Sequence, residues 1–307
     1  MSAGWVAGSV RTRALVRRRL GTGAARRLAA CGSLAEAVQM LAVTPYGRWI
    51  RPGQSLAAAQ HGIAEGILWD LRVLAGWLPP GGVQLMRALA GWFEIANVDE
   101  LLSGLAGRPA DDLFQLGALA TAWPRLRRAA SHAELRTLLT ASPWKDPGGA
   151  SEQALRVGMR VGLAGRIAAL DAPAPVWAAS AVALLVAGER FAAGRPLDPV
   201  LRGAADGLLG PGAADARTVE EMAARLPARL AWVLSEVRDP SDLWRAEAGW
   251  WARVERDGFM LLRTSALDRP SVLGGIAILA ADAHRGRAAL EIAARGGGPL
   301  EAYDAVA

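Results

Sequence analysis

Residues able to do chemistry are few in this chain, and they are scattered. His61, His132 and His284 lie far apart and share no ligand spacing with one another or with the single cysteine, Cys31. A zinc site needs such ligands to converge, so none is expected. No nucleophile elbow or phosphate loop is present. Gly21-Thr22-Gly23 has half the form of a dinucleotide loop, but no strand precedes it and Arg26 replaces the third glycine. It reads as a break between two helices. Asp111-Asp112 is the sharper candidate, because paired aspartates on a helix can hold magnesium–diphosphate. That chemistry needs a third acid one turn on, where Leu113, Phe114 and Gln115 stand, and a second acidic cluster, for which Asp282 has no matching polar set. The plainer reading is two acids favouring the positive end of a helix after Pro109. No catalytic residue, metal ligand, cofactor or small-molecule substrate is expected.

The elements around these residues read as helices throughout. The 307 residues are 52% hydrophobic, enough for a large core. Ala, Leu, Arg and Glu dominate, all strong helix formers, whereas aromatics reach only 6% and β-branched runs are scarce. Twelve of the eighteen aromatics are Trp, which fills wide gaps between helices and can turn its N–H towards a partner. Helical spacing and Pro/Gly punctuation place helices at Gln54 to Leu78, Val83 to Ile95, and near 110–122, 131–141, 150–170, 175–192, 218–237, 241–263 and 271–294. Asn97, followed by Asp99 and Glu100, reads as a helix N-cap. The fold class expected is all-α.

An internal repeat organises these helices. Ser33-Leu34-Ala35-Glu36 has the form of a capping box, in which the Ser and Glu side chains satisfy each other's backbone N–H groups. Its helix ends at Leu41-Ala-Val-Thr44-Pro45-Tyr46. The pattern returns as Ser131-His-Ala-Glu134, ending at Leu139-Thr-Ala-Ser142-Pro143-Trp144. A fainter third copy, Thr218-Val-Glu-Glu221, lacks the hydroxyl–Pro–aromatic ending. The expected domains are therefore helical repeats over residues 1–108, 109–209 and 210–307.

Charge is uneven along the chain. Thirty-four of the 35 basic residues are Arg, Lys145 being the exception. Residues 1–51 carry nine Arg against one acid, Glu36, while the remainder carries 26 basic and 28 acidic residues. Arg17, Arg18, Arg19, Arg26 and Arg27 are the candidate interface, facing an acidic partner, anionic lipid or nucleic acid; the alternative is a solvated helix face. Cys31 allows no internal disulfide, which fits a reducing cytoplasm, and it reads as a small core residue. The longest apolar run, Val176 to Gly188, is short of the ~20 residues a membrane span needs, and no signal peptide is read, so a soluble protein is expected.

Several segments, in this order and spacing, resemble the C-type subunits of V-type and archaeal-type rotary ATPases, known as d-type subunits in eukaryotes. Arg11-Thr-Arg13-Ala-Leu15 is similar to the family's R-x-R-A-L opening, and Leu41-x-x-Thr44-x-Tyr46 to its L-x-x-T-x-Y helix ending. Trp92-Phe93-Glu94-Ile-Ala-Asn97 resembles its aromatic–D-x-x-N segment, with Glu94 in place of Asp. The helix after Val272-Leu273-Gly274, through Asp282, Arg285 and Arg287, sits where the family has E-x-x-N-x-R, with Arg285 for the Asn. The resemblance spans nearly the whole chain. It implies a funnel of two to three similar helical domains and a socket without catalytic activity. In that role the protein links the membrane rotor ring to the central-stalk subunits, cytoplasmic and at the inner face of the membrane only through the complex. Arg11, Arg13, Thr44, Tyr46, Glu94 and Asn97 are then motif residues that shape joints between helices. Two alternatives are an Arg-rich helical scaffold binding nucleic acid or another protein, and an enzyme like the all-α isoprenoid synthases. Nucleic acid is the less expected partner, since charge beyond residue 51 is balanced and no recognition motif stands out.

Overall fold

A computed structural model describes residues 3–297. Their regular structure is all helical, with no strand among the described residues. The order is α1 (Ala3–Arg17), α2 (Gly21–Ala29), α3 (Leu34–Ala42), α4 (Leu56–Ala75), α5 (Pro80–Leu105), α6 (Trp123–Leu126), α7 (His132–Thr140), α8 (Glu152–Ala168), α9 (Ala174–Ala187), α10 (Pro199–Leu209), α11 (Val219–Arg225), α12 (Leu243–Arg263) and α13 (Arg269–Ala294). Two compact units form: residues up to Met86 together with those from Trp251 onward, and the contiguous stretch Arg87–Trp250. These units are a different division from the repeats read at 1–108, 109–209 and 210–307.

In the discontinuous unit, α13 is the central helix and packs against α1, α2, α3 and α4. Its burial extends around much of the cylinder, from Val272, Leu273 and Ile276 to Ile278, Leu279 and Leu290. Each such side chain stabilises the fold by roughly 1.5–3 kcal/mol. Small residues let neighbours approach. A Cβ on Gly275 would lie 2.0 Å from Cγ2 of Thr12 on α1. Cys31 is buried here, as its alanine-rich surroundings imply.

In the contiguous unit, α8, α9 and α10 pack on one another around Val157, Val161, Val182, Val186, Leu201 and Leu209. The α9 helix continues through a π turn at Gly188–Ala192. Over Ala174–Ala192 this makes 19 residues, long and apolar enough to cross a membrane, where the sequence pattern showed no span. Half of that stretch is buried inside the unit, against α8 and α10.

Several sequence expectations are corrected. Asn97 is not an N-cap: α5 runs unbroken from Pro80 to Leu105 with Asn97 fully buried in it. Residues 109–116 form no helix, and only a 3-10 turn, Gly117–Leu119, lies within 110–122. Asp111 and Asp112 therefore sit exposed on irregular backbone and stabilise no helix end. The Asp111 N–H donates to Oε2 of Glu100 at 2.7 Å. The long helix expected over 218–237 stops at Arg225, before Pro227, and α10 is an additional helix whose pattern Gly203 and Gly207 interrupt.

Candidate functional site

Of the residues that carried the motifs, Tyr46, Glu94 and Asn97 are buried, while the capping residues and Arg11 stand at the surface. Ser33 accepts the Glu36 N–H at 3.3 Å, and Ser131 accepts that of Glu134 at 3.2 Å, so both cap helices as expected. The carboxylates reach one residue further back than the cap itself. Glu36 accepts from the Gly32 N–H at 3.0 Å, and Glu134 from that of Ala130 at 2.8 Å. The faint third box has the same geometry, with Thr218 accepting from Glu221 and Glu221 from the Arg217 N–H.

The matched endings also share their hydrogen bonds. Thr44 donates its hydroxyl to the Leu41 carbonyl at 2.7 Å and accepts the Tyr46 N–H at 3.3 Å. Ser142 donates to the Leu139 carbonyl at 2.7 Å and accepts the Trp144 N–H at 3.1 Å. Each hydroxyl adds a second hydrogen bond to a last-turn carbonyl that already accepts the residue's own N–H, and the following Pro turns the chain so that the aromatic points inward.

Both aromatics end on a buried carboxylate. The Tyr46 hydroxyl donates to Oδ2 of Asp282 at 3.1 Å, and the Trp144 indole N–H donates to Oε1 of Glu94 at 2.7 Å. Each carboxylate also receives two successive backbone N–H groups. Those of Leu20 and Gly21, at 2.9 and 2.7 Å, reach Asp282 at the start of α2. Those of Thr121 and Ala122, at 2.6 and 2.7 Å, reach Glu94 just before α6. Asp282 and Glu94 are 0% and 1% exposed, so each anion depends on these three donors and on a neighbouring guanidinium. Arg285 lies 4.0 Å from Asp282, and burial lowers the pKa of Arg166 while Glu94 opposes that shift. Gly21-Thr22-Gly23 is not itself the break between helices: α1 ends at Arg17, the chain breaks over residues 18–20, and the tripeptide forms the first turn of α2, where the Gly21 N–H holds a carboxylate of this same chain.

Asn97 locks one more segment, accepting the Phe114 N–H at 2.7 Å and donating to the Phe114 carbonyl at 2.9 Å. Burial, with Asp282 second, pushes the Tyr46 phenol well above its usual pKa. Asp70 on α4 is pushed up from 3.8 to about 6 by burial, against the opposing pull of Arg18 and then Arg11. His284 is lowered from 6.5 to about 4, by burial and then by Arg287 and Arg285, and it stacks on Trp251 at 4.6 Å.

The arginine segment separates into distinct roles. Arg13, half-buried, donates to the Thr264 carbonyl at 2.8 Å and ties α1 to the end of α12. Arg19 donates to the Val16 carbonyl and lies 5.1 Å from the Phe259 ring centroid. Arg11, Arg17, Arg18, Arg26 and Arg27 are exposed. Tyr46, Arg11 and Arg18 belong to the discontinuous unit, and Glu94 and Asn97 to the contiguous one. Two residues that sequence reasoning does not single out for these roles are Asp282, as the partner of Tyr46, and Asp206 on α10. Asp206 accepts from the Gly212 and Ala214 N–H groups ahead of the third box. The signal available for Asp206 was an acid on a helix with the Thr218–Glu221 capping box beyond it, whereas no local signal marks Asp282. Among the described residues, no three of His, Cys, Asp and Glu gather as a metal site. No protein-family model and no curated protein matches the chain.

Proposed function

We propose that this protein is a non-catalytic coupling subunit of a rotary ATPase, of the kind that the C-type and d-type subunits provide between the membrane rotor ring and the central stalk. The observation that carries the reading is the Tyr46–Asp282 hydrogen bond. It joins two of the segments that bear the resemblance, 236 residues apart in sequence, in one buried joint. The Glu94–Trp144 joint repeats the arrangement with the aromatic–acid–x–x–Asn segment. Motif residues used this way make a body stiff, because a close-packed interior with satisfied buried charges deforms little. Stiffness is what transmitting torque requires, and it leaves no compact active-site motif. A cytoplasmic position, held at the membrane through the complex, follows from this role.

The isoprenoid-synthase alternative loses its premise, since Asp111 and Asp112 stand on no helix. A nucleic-acid scaffold is less favoured because many arginines beyond the N-terminal segment already face acids, as Arg160 faces Asp99 and Arg202 faces Asp215.

Deletion from the host organism tests the proposal. With the catalytic head still assembled by pull-down, ATP hydrolysis should persist while ion transport is lost. Unchanged transport, or failure of the protein to co-purify with any ring or stalk component, would overturn it.

A further inference from the structure

Beyond the joints, one surface of the discontinuous unit combines unneutralised cations with half-buried apolar side chains and the exposed Met260. On α12 the residues Ala252, Glu255, Arg256, Phe259, Met260 and Arg263 follow at intervals of three and four, and so form one stripe. Beside it runs the α1 stripe of Arg13, Val16 and Arg17. Two adjoining shallow hollows, of about 300 and 240 Å³, lie along this seam and share Phe259 and Arg263. Phe259 is half-buried at the floor, while Met260 is 55% exposed beside it.

The charge on the seam is one-sided. Its acid, Glu255, is held in a two-pronged pair with buried Arg285, at 2.5 and 3.2 Å. The head of Arg13 is bound to backbone carbonyls. Arg17, Arg256 and Arg263 are exposed and meet no carboxylate within ion-pair distance among the described residues.

We infer that this seam docks an acidic amphipathic helix of a partner protein, with carboxylates bracketing an apolar anchor. Arg256 and Arg263 are seven residues apart, hence ~10.5 Å along the axis, with Phe259 and Met260 between them. A partner helix laid along α12 with two acids at the same spacing offers a carboxylate to each guanidinium and one or two apolar side chains to the hollow. The guanidinium fork matches a carboxylate with two hydrogen bonds, and Arg, Met and aromatics are the side chains enriched at protein interfaces. A bilayer is the poorer fit because Phe259 is half-buried and Met260 is the one large apolar side chain of the seam that stands exposed. Nucleic acid is poorer because its phosphates leave the apolar floor unrewarded. The inference stands on this seam alone and holds whether or not the protein serves a rotary ATPase.

The test is fluorescence anisotropy of the full chain with a labelled helical peptide carrying Glu at i and i+7 around Leu at i+3 and i+4. Binding should be saturable, weaken with added salt, and fall at least tenfold in the triple variant R17E/R256E/R263E and in Met260→Glu. A matched charge change on the exposed Arg125, Arg127 and Arg128, R125E/R127E/R128E, should leave it intact. Far-UV dichroism checks that each variant is folded. Equal binding by a scrambled peptide, no binding, or equal loss in the R125E/R127E/R128E control would overturn the inference. So would phosphatidylglycerol vesicles or single-stranded DNA binding through Arg17, Arg256 and Arg263 where the peptide does not.

Discussion

Glu94 accepts three hydrogen bonds with its two oxygens, those from the Ala122 N–H and the Trp144 indole being fully buried. Glu94→Gln would aim an amide N–H₂ at an N–H donor and leave the Arg166 guanidinium without its anion. Urea unfolding should record a loss of about 2–4 kcal/mol, with Trp144→Phe, which removes a single donor, costing about 1–2. Asp282→Asn should behave like Glu94→Gln, because the donor set is the same in kind. A result within ~0.5 kcal/mol of the parent would show these carboxylates to be dispensable. Asp70 acts in the opposite direction. Its folded pKa of about 6 lies above the ordinary 3.8, so its contribution is favourable below about pH 4 and is lost as pH rises through 6. Asp70→Asn should therefore raise the melting temperature at pH 7.5, with the gain disappearing near pH 4. His284 titrates in the same range with the reverse sign, so the parent and variant must be compared at each pH.

At the scale of elements, the turns and caps that begin each joint are followed by a helix pressed tightly on the turn. Ser55 caps α4 and Ser151 caps α8, each accepting an N–H three residues on. Seven residues past each cap stands a glycine. A Cβ on Gly62 would meet the Trp49 carbonyl at 2.7 Å, and one on Gly158 would meet the Pro147 carbonyl at 2.0 Å. Ordinary helix propensity makes Gly→Ala favourable by about 1 kcal/mol. Gly158→Ala should reverse that sign and destabilise by about 2 kcal/mol or more, since backbone must move to admit the methyl group. Gly165→Ala on the same helix, where the Cβ meets nothing within 4 Å, should keep the favourable sign. Calorimetry on the two variants separates close packing from propensity.

For the molecule as a whole, the chain order matters. The contiguous unit, Arg87–Trp250, lies between the two stretches that build the other unit. Helix α13 supplies the carboxylate that holds the start of α2 and the turn at Tyr46, and it packs against α1 to α4. A chain ending at Trp250 should therefore lose more far-UV helicity than the deleted residues contribute, because the N-terminal helices lose their buried face and their anion. A loss equal to the deleted helices alone would mean that α1 to α4 are stable without α13.

The helical class, the capping serines and the hydroxyl–Pro–aromatic turns were legible in the sequence because they depend on neighbours within about four residues. Ser33, Ser131, Thr44 and Ser142 satisfy local backbone groups, and local rules suffice for them. Asn97 misled for the same reason. Its type suits a cap, but the Phe114 backbone 17 residues away holds it inside a continuous helix. The partner of Tyr46 could not be read at all, since Asp282 lies 236 residues away and no local period marks it. Arg17 stood out in the basic N-terminal segment, but Arg256 and Arg263 were ordinary surface charges until α1 was laid beside α12 and Glu255 was drawn off by Arg285. Sequence by itself determined the helical class and where the capped helices start. Tertiary structure decided which charges are buried, which are neutralised and which remain exposed, because burial and pairing depend on residues that only folding brings together.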